Sequence, residues 1–350
     1  MPFHLDLSLM IMSNDEFVLV NIHVLHHLIA PNPILTLCTA SIFLAWGRSA
    51  VQISRHSFET VRNSVLHYCQ PKALKETRDF TICASVLYSH PSKLVMNSVI
   101  YGPVPSWRLG RSLGVDLLST QGKTCNFNCV YCQLGKTANP VRERRVFIET
   151  AELTQELKSV RGVAADYVTF SGMGEPTLAS NLGQAMELAR SILHLPVAVL
   201  TNSSLMSRED VCADLAKADV VVAKIDAHNH ELFKEVNRPV TGLLFRDVLK
   251  GIELFRSRFK GKLCLQIMFI EANKDFAREI AKVASSLSPD EIQLNTPLRP
   301  CAVKPLTRSQ MDSIQKHFNN LGNVISAYHT PRPEVTPLNS NETSRRRPKL

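Results

Sequence analysis

The stretch Gly122-Lys123-Thr124-Cys125-Asn126-Phe127-Asn128-Cys129-Val130-Tyr131-Cys132 decides how the rest of the chain is read. Its cysteines are spaced C-x3-C-x2-C. Three thiolates on one tight loop can each take one iron of a 4Fe–4S cubane, and the fourth iron then lacks a protein ligand. An ordinary electron carrier closes that corner with a fourth cysteine. An iron left open can bind a small molecule, as an open zinc does. Two other uses of the spacing stay open. A structural zinc needs a fourth ligand, and no second cysteine pair or close histidine follows. A redox pair needs only Cys129 and Cys132 and leaves Cys125 without a part.

Around this loop, from about Met96 onward, apolar β-branched runs alternate with amphipathic runs of helical length. The pattern predicts strands over 112–118, 167–171, 197–201, 220–226, 263–270 and 291–295. It predicts helices over 150–160, 182–193, 207–217, 243–259, 275–287 and 308–321. Strands alternating with helices imply an α/β fold, with a parallel sheet closed by right-handed crossovers. Six units are too few for an eight-fold barrel and suit a partial (β/α)6 TIM-like barrel, open on one side. Ligands in such sheets sit at the carboxyl ends of the strands. Functional residues are therefore expected just after the strand runs.

The triplet follows the first run. After the second comes Ser171-Gly172-Met173-Gly174-Glu175-Pro176-Thr177. Gly172 and Gly174 allow close backbone approach to a ligand, and the Glu175 carboxylate can accept from a ligand ammonium. A plain turn is the bland alternative. After the third, Thr201, Asn202 and Ser203 offer short polar side chains to a ribose, or simply make a loop and helix cap. After the fourth, Lys224 and Asp226 are candidates for a substrate anion and a hydroxyl, or form an inward salt-bridged pair. After the sixth, Asn295 points toward the same mouth, and Arg299 either meets an anion or caps the rim.

The triplet, with the aromatic Tyr131 before its last cysteine, resembles the signature of the radical S-adenosylmethionine (SAM) superfamily. The resemblance implies a 4Fe–4S cluster on Cys125, Cys129 and Cys132, with its open iron chelating the amino and carboxylate groups of SAM. It implies Tyr131 against the adenine, and Gly172, Gly174 and Glu175 at the SAM amino group. Reduction by a low-potential donor, flavodoxin or ferredoxin, then gives a 5′-deoxyadenosyl radical for hydrogen abstraction. The strings 101–106, 109–116, 236–239 and 293–300 resemble the wyosine-synthase-related Fe–S oxidoreductase subgroup, which implies tRNA base modification. Trp107 stands where a second basic residue is expected, and Ser203 where a glycine is common. A non-catalytic iron–sulfur or electron-transfer protein is the alternative.

Composition bounds these readings. The chain has 350 residues, 45% hydrophobic, with a formal charge of +9 that suits a polyanionic partner without requiring one. Nine cysteines in a chain of this length do not resemble a secreted disulfide scaffold, so a reduced cytoplasmic setting is expected. Cys38, Cys69 and Cys83 are poorly spaced for a second cluster. Residues 1–95 read as an irregular N-terminal extension, 96–330 as the core domain and 331–350 as a disordered basic tail. Residues 17–47 lack Asp, Glu, Lys and Arg, but the run 34–46 is too short to span a bilayer alone.

Overall fold

The computed structural model describes residues 3–13, 16–26, 98–240 and 242–348. The chain divides into two compact units, Met1–Leu87 and Tyr88–Leu350. In the first, β1 (Phe3–Ser13) and β2 (Glu16–His26) pair antiparallel, from Phe3 opposite His26 to Ser13 opposite Glu16. Strand β2 takes up the start of the uncharged run. The remainder of that run lies outside the described residues, as do Cys38, Cys69 and Cys83. Among the described residues no helix is long and apolar enough to cross a membrane.

The second unit is built on one eight-stranded sheet. Its first two strands are β3 (Ile100–Ser106) and β4 (Gly110–Val115). Two short strands, β5 (Lys123–Cys125) and β6 (Thr137–Pro140), pair apart from it. The sheet then continues with β7 (Tyr167–Phe170), β8 (Val197–Thr201), β9 (Val220–Lys224), β10 (Lys262–Met268), β11 (Glu291–Asn295) and β12 (Val324–Ser326). Across the sheet the order is β12-β11-β10-β9-β8-β7-β4-β3. Every pairing in it is parallel except β3 with β4, a hairpin at one edge. From β4 to β11 the strands of the sheet follow one another in chain order with no reversal, so each right-handed crossover steps the same way. The crossover helices then share one face and the sheet curls into a half-barrel. Two prolines, Pro103 and Pro105, confine β3 to the edge because they have no N–H for a second neighbour.

The helices are α1 (Thr150–Ser159), α2 (Leu182–Leu193), α3 (Glu209–Leu215), α4 (His230–Val236), α5 (Phe245–Arg258), α6 (Ala277–Ser286), α7 (Arg308–Lys316) and α8 (Ser340–Arg346). Alternation along the strands divides the core. Val197, Val199, Val221, Ala223, Leu263, Leu265 and Ile267 join the helix-side core, whereas Ala198, Val220, Val222 and Cys264 form a thin apolar patch on the concave face. Each fully buried aliphatic side chain contributes about 1.5–3 kcal/mol. The larger set therefore carries most of the stability, and the concave face is left room for a cavity.

The expectation of a disordered tail is corrected within 331–348. Helix α8 starts on Asn339, whose side chain accepts from the N–H groups of Asn341 and Glu342. Arg346 on α8 is fully buried and bonds Asp116, Glu342, Ser119 Oγ and the Ser98 carbonyl. A run of arginines reads as solvated when only the sequence is known, because the buried carboxylate that satisfies Arg346 lies at the end of β4.

Candidate active site

The triplet loop rises from β5, which pairs with β6 just beyond the end of β4. Two other segments give the loop its shape. On one side, Thr124 N donates to Met173 O at 2.8 Å and Glu175 N donates to Thr124 O at 3.2 Å. On the other, Asn128 N reaches the carbonyls of Asn237 and Arg238 at 3.1 and 3.0 Å, and Val130 N reaches Val236 O at 3.0 Å. Val240 N closes the clamp on Asn126 O at 3.0 Å. The 236–239 string thus holds the cysteine loop by its backbone.

The glycines have a packing role in addition to the one expected from sequence. A Cβ on Gly174 would stand 1.6 Å from the Thr124 carbonyl oxygen, and one on Gly172 would stand 2.2 Å from Asp116 Cγ. Gly174 lets this loop lie against the triplet loop, and Gly172 lets it lie against Asp116 at the end of β4. Both still face the cavity described next.

A cavity of about 280 Å³ opens on the concave face at the carboxyl ends of the strands. Its wall brings together Cys125, Cys129, Cys132, Tyr131, Gly172, Gly174, Glu175, Thr201, Asn202, Lys224, Asn295 and Arg299. Ser203 and Asp226 do not line it. Asp226 lies behind the wall with both oxygens in use. Its Oδ1 accepts from Met268 N at 2.8 Å, and its Oδ2 accepts from the Tyr131 hydroxyl and, at 2.7 Å, from Asn237 Nδ2. It positions Tyr131 rather than meeting a hydroxyl of a ligand. Lys224 Nζ sits over the Tyr131 ring, 4.8 Å from the centroid. Ser203 ties β8 to β9 through Lys224 N and O, and its φ of +70° explains why a glycine suits this position.

Glu175 is buried and heavily engaged. Oε1 accepts from Thr177 N at 3.0 Å, Thr177 Oγ1 at 2.6 Å and Thr201 Oγ1 at 2.7 Å, and Oε2 accepts from Asn202 N at 2.6 Å. Burial raises its pKa and these donors oppose the rise. Thr201 and Asn202 therefore brace Glu175. Asn202 also holds the Asn126 side chain at 2.8 Å and approaches Cys125 Sγ at 3.6 Å. Asn295 is half-buried, and its Oδ1 accepts from Thr296 N at 3.0 Å.

The electrostatics of the sulfurs test whether a cluster fits. Burial pushes the Cys125 thiol up to about 12 and raises Cys129 as well, with Lys123 opposing in both cases. The Lys123 ammonium is buried, with no oxygen partner among the described residues, and it leans on the Cys132 sulfur. Burial works to lower its pKa, but the charges of Cys132, Cys125 and Cys129 outweigh burial and raise it. A buried cation whose neighbours are three sulfurs asks for anionic sulfur nearby. Amides add to this: Phe127 N stands 3.4 Å from Cys125 Sγ, and Asn237 Nδ2 3.7 Å from Cys129 Sγ. Among the described residues no three His, Cys, Asp or Glu side chains converge as a single ion requires. A cubane asks for a wider spread, one sulfur to each of three irons. The residues fit a cluster.

Sequence reasoning missed Lys123, Asn237, Arg108, Arg332 and Arg347 as site residues. Lys123 alone had a usable signal, a cation two residues before the first cysteine. The others come from the β3–β4 turn, the end of α4 and the chain beyond β12. No spacing rule links them to the triplet.

Comparison with known proteins gives matches to part of the chain. Residues 121–283 match the family model of the radical SAM superfamily. The chain is 39% identical over 210 residues to a UPF0026 protein of Synechocystis, covering 60% of this chain and 78% of that one. It is 37% identical over 235 residues to a UPF0026 protein of Methanocaldococcus jannaschii, covering 65% and 72%. Among solved structures, native anSMEcpe with bound AdoMet has a TM-score of 0.48 at 21% identity, over 62% of this chain and 64% of that one. Streptococcus suis SuiB bound to S-adenosylmethionine has a TM-score of 0.47 at 15% identity, over 59% and 48%. The chain thus spans about half to two-thirds of those solved chains.

Proposed function

We propose a function from one premise: this chain belongs to the radical SAM superfamily, in company with the UPF0026 proteins. In the finer reading, Cys125, Cys129 and Cys132 hold a 4Fe–4S cluster, and the chain cleaves SAM reductively to drive hydrogen abstraction from a substrate. The supporting observation is that the three cysteines, the buried Lys123 ammonium and Glu175 face one cavity at the carboxyl ends of the strands. The strings resembling wyosine-synthase-related proteins extend the proposal to a tRNA base as substrate.

Cys125, Cys129 and Cys132 would hold the cluster, which together with SAM and one electron from a low-potential donor would supply the chemistry of reductive sulfonium cleavage and hydrogen-atom abstraction. The chain's own residues do the rest. Lys123 balances the negative charge of the thiolates in a buried setting. Amides of Phe127, Asn202 and Asn237 orient toward Cys125 and Cys129. Such contacts to sulfur tune a cluster's potential. Glu175, braced by Thr177, Thr201 and Asn202, presents a fixed carboxylate able to hold an ammonium. Tyr131, pinned by Asp226, keeps its ring on the wall with its hydroxyl turned inward, and burial raises its pKa well above the ordinary value.

One observation favours a second reading. Cys301 lines a second cavity, of about 930 Å³, together with Cys129 and Cys132. A fourth cysteine ligand recruited from there would make a closed, non-catalytic cluster. Anaerobic reconstitution, reduction and chromatographic assay for 5′-deoxyadenosine separates the two. Formation of that product supports the radical reading. A fully loaded protein that forms none sinks it.

A further inference from the structure

The charges on the cavity wall fall into two groups. Arg108, Lys123, Lys224, Arg299, Arg332 and Arg347 line it, against one carboxylate, Glu175. The two lysines belong to the sulfurs. Lys123 acts on both Cys125 and Cys129, and Lys224 acts on Cys129. Arg347 is the strongest charge acting on both Arg108 and Arg299; Arg332 acts on both and Arg299 on Arg108, with Cys264 opposing them at Arg108 and Tyr101 at Arg299. Burial and this mutual repulsion bring Arg108 and Arg299 each down to about 10. Like charges gathered in a partly buried space oppose each other unless something negative lies among them. Among the described residues, none of the four guanidiniums forms an ion pair with a carboxylate.

Their placement is built rather than loose. Arg108 lies against the Trp107 ring, 5.3 Å from its centroid, and donates through Nη1 to Gln266 Oε1 at 2.6 Å, while its Nε is buried with no partner. Arg299 Nη1 is tied to the carbonyl of Pro348 at 2.9 Å. Arg347 donates through Nη2 to Ser171 Oγ at 2.9 Å, and Tyr101 lies under it at 5.8 Å. Arg332 is exposed at the mouth. The strip 103–108, where Trp107 replaces an expected basic residue, is thus not the only source of charge. The cations arrive from four separate segments.

We propose that Arg108, Arg299, Arg332 and Arg347 form a subsite for a phosphate group of the substrate, at the arginine end of the SAM cavity. The assignment rests on the radical SAM reading for what the rest of the cavity holds. A carboxylate carries one charge and is matched by one guanidinium fork. Four forks suit a group with two or more charges and several acceptor oxygens. Such a phosphate can belong to RNA or to a small phosphorylated molecule, and the chemistry at the arginines is the same.

The test is calorimetric titration of the anaerobically reconstituted full chain with inorganic pyrophosphate at fixed ionic strength. Saturable binding is expected. Arg299→Gln and Arg108→Gln should each weaken it tenfold or more, and Arg299→Lys by less, because it keeps the charge and loses the fork. Arg332→Gln, at an exposed position where folding is safe, should weaken it several-fold. Arg246→Gln, whose side chain is 81% exposed on α5, should leave binding as in the wild type. No saturable binding, or arginine-cluster variants that bind like the wild type, overturns the proposal. So does an equal loss in Arg246→Gln. Competition against bound pyrophosphate by a single-stranded RNA oligonucleotide and by a mononucleotide then shows which source the site prefers. Iron content and 5′-deoxyadenosine are measured on the same samples. A loaded, SAM-cleaving protein that ignores pyrophosphate sinks the phosphate subsite alone. Arginine-dependent binding in a protein that takes up no cluster sinks the radical reading alone.

Discussion

Arg346 on α8 meets Asp116, at the end of β4, with Nε 2.7 Å from Oδ2, and neither side chain is appreciably exposed. Asp116 Oδ1 in turn accepts from Leu118 N and Ser119 N, both at 3.2 Å, so the same carboxylate shapes the turn leading into the triplet loop. Removing one member of a buried ion pair leaves the other uncompensated, at about 3–5 kcal/mol. Arg346→Met should therefore lower unfolding free energy by about that much in urea titration. The double variant with Asp116→Asn should recover part of the loss. A single variant as stable as the wild type would show that α8 contributes nothing.

Gly174→Ala places a Cβ where the Thr124 carbonyl oxygen already is. The contact is with backbone, so no rotamer change relieves it. The expected result is loss of cluster uptake, read as iron content and absorbance near 400 nm, with far-UV circular dichroism largely kept. Normal iron loading would show that the two loops need not touch.

Cys129→Ala should abolish cluster incorporation, leaving less than about a tenth of wild-type iron, since a cubane held at two corners is labile. Cys301→Ser should load normally. If iron falls in Cys301→Ser instead, the closed, four-cysteine reading gains.

Asn237→Ala removes one donor from Asp226 and a side-chain amide that reaches Cys129 Sγ. Leaving the buried Asp226 carboxylate short of a partner costs about 1–3 kcal/mol. The loss of an N–H near sulfur should also move the cluster potential to more negative values, measured by a dye-mediated redox titration. An unchanged potential would separate Asn237 from the cluster and leave it a purely structural role.

Asp166 anchors the start of β4. Its Oδ2 accepts from Arg111 N at 2.7 Å, and its Oδ1 from Arg111 Nη2 at 2.7 Å. The Arg111 side chain, then its N–H, hold the carboxyl below the ordinary value of 3.8. A depressed folded-state pKa contributes stability above the unfolded value, and that contribution is lost as pH falls through the folded value. The wild type should therefore lose more stability than Asp166→Asn as pH drops below about 4. The pair is half exposed, so the difference should be modest and should shrink in salt. Parallel acid limbs for the two proteins would dismiss the linkage.

The six parallel strands from β4 to β11 and six of the helices were legible, because burial on both faces gives continuous β-branched runs such as Val220-Val221-Val222-Ala223. The first run ended earlier than its hydrophobicity implies: β4 stops at Val115, since Asp116 turns the chain. Helix α4 was missed, although at seven residues it is as long as α3, which was found. In β1, the alternation of Phe3, Leu5, Leu7 and Leu9 with His4, Asp6 and Ser8 is a strand signal that the residues carry by themselves. At the site, the residues along one loop were readable from spacing. The arginines, Asn237 and the true work of Asp226 were not, because each depends on a partner more than ten residues away in the chain or on another element.

The clamp from 236–239 has a consequence for biogenesis. The backbone N–H groups of Asn128 and Val130 find their acceptors only once Val236, Asn237 and Arg238 exist. A ribosome that has just finished Cys132 has roughly a hundred codons still to translate before those acceptors emerge. Through that interval the nascent thiols have no preset cage. If the proposed cluster forms, its loop takes shape only when a distant segment arrives, and a short peptide copied from the cysteine loop would lack the mould that shapes it.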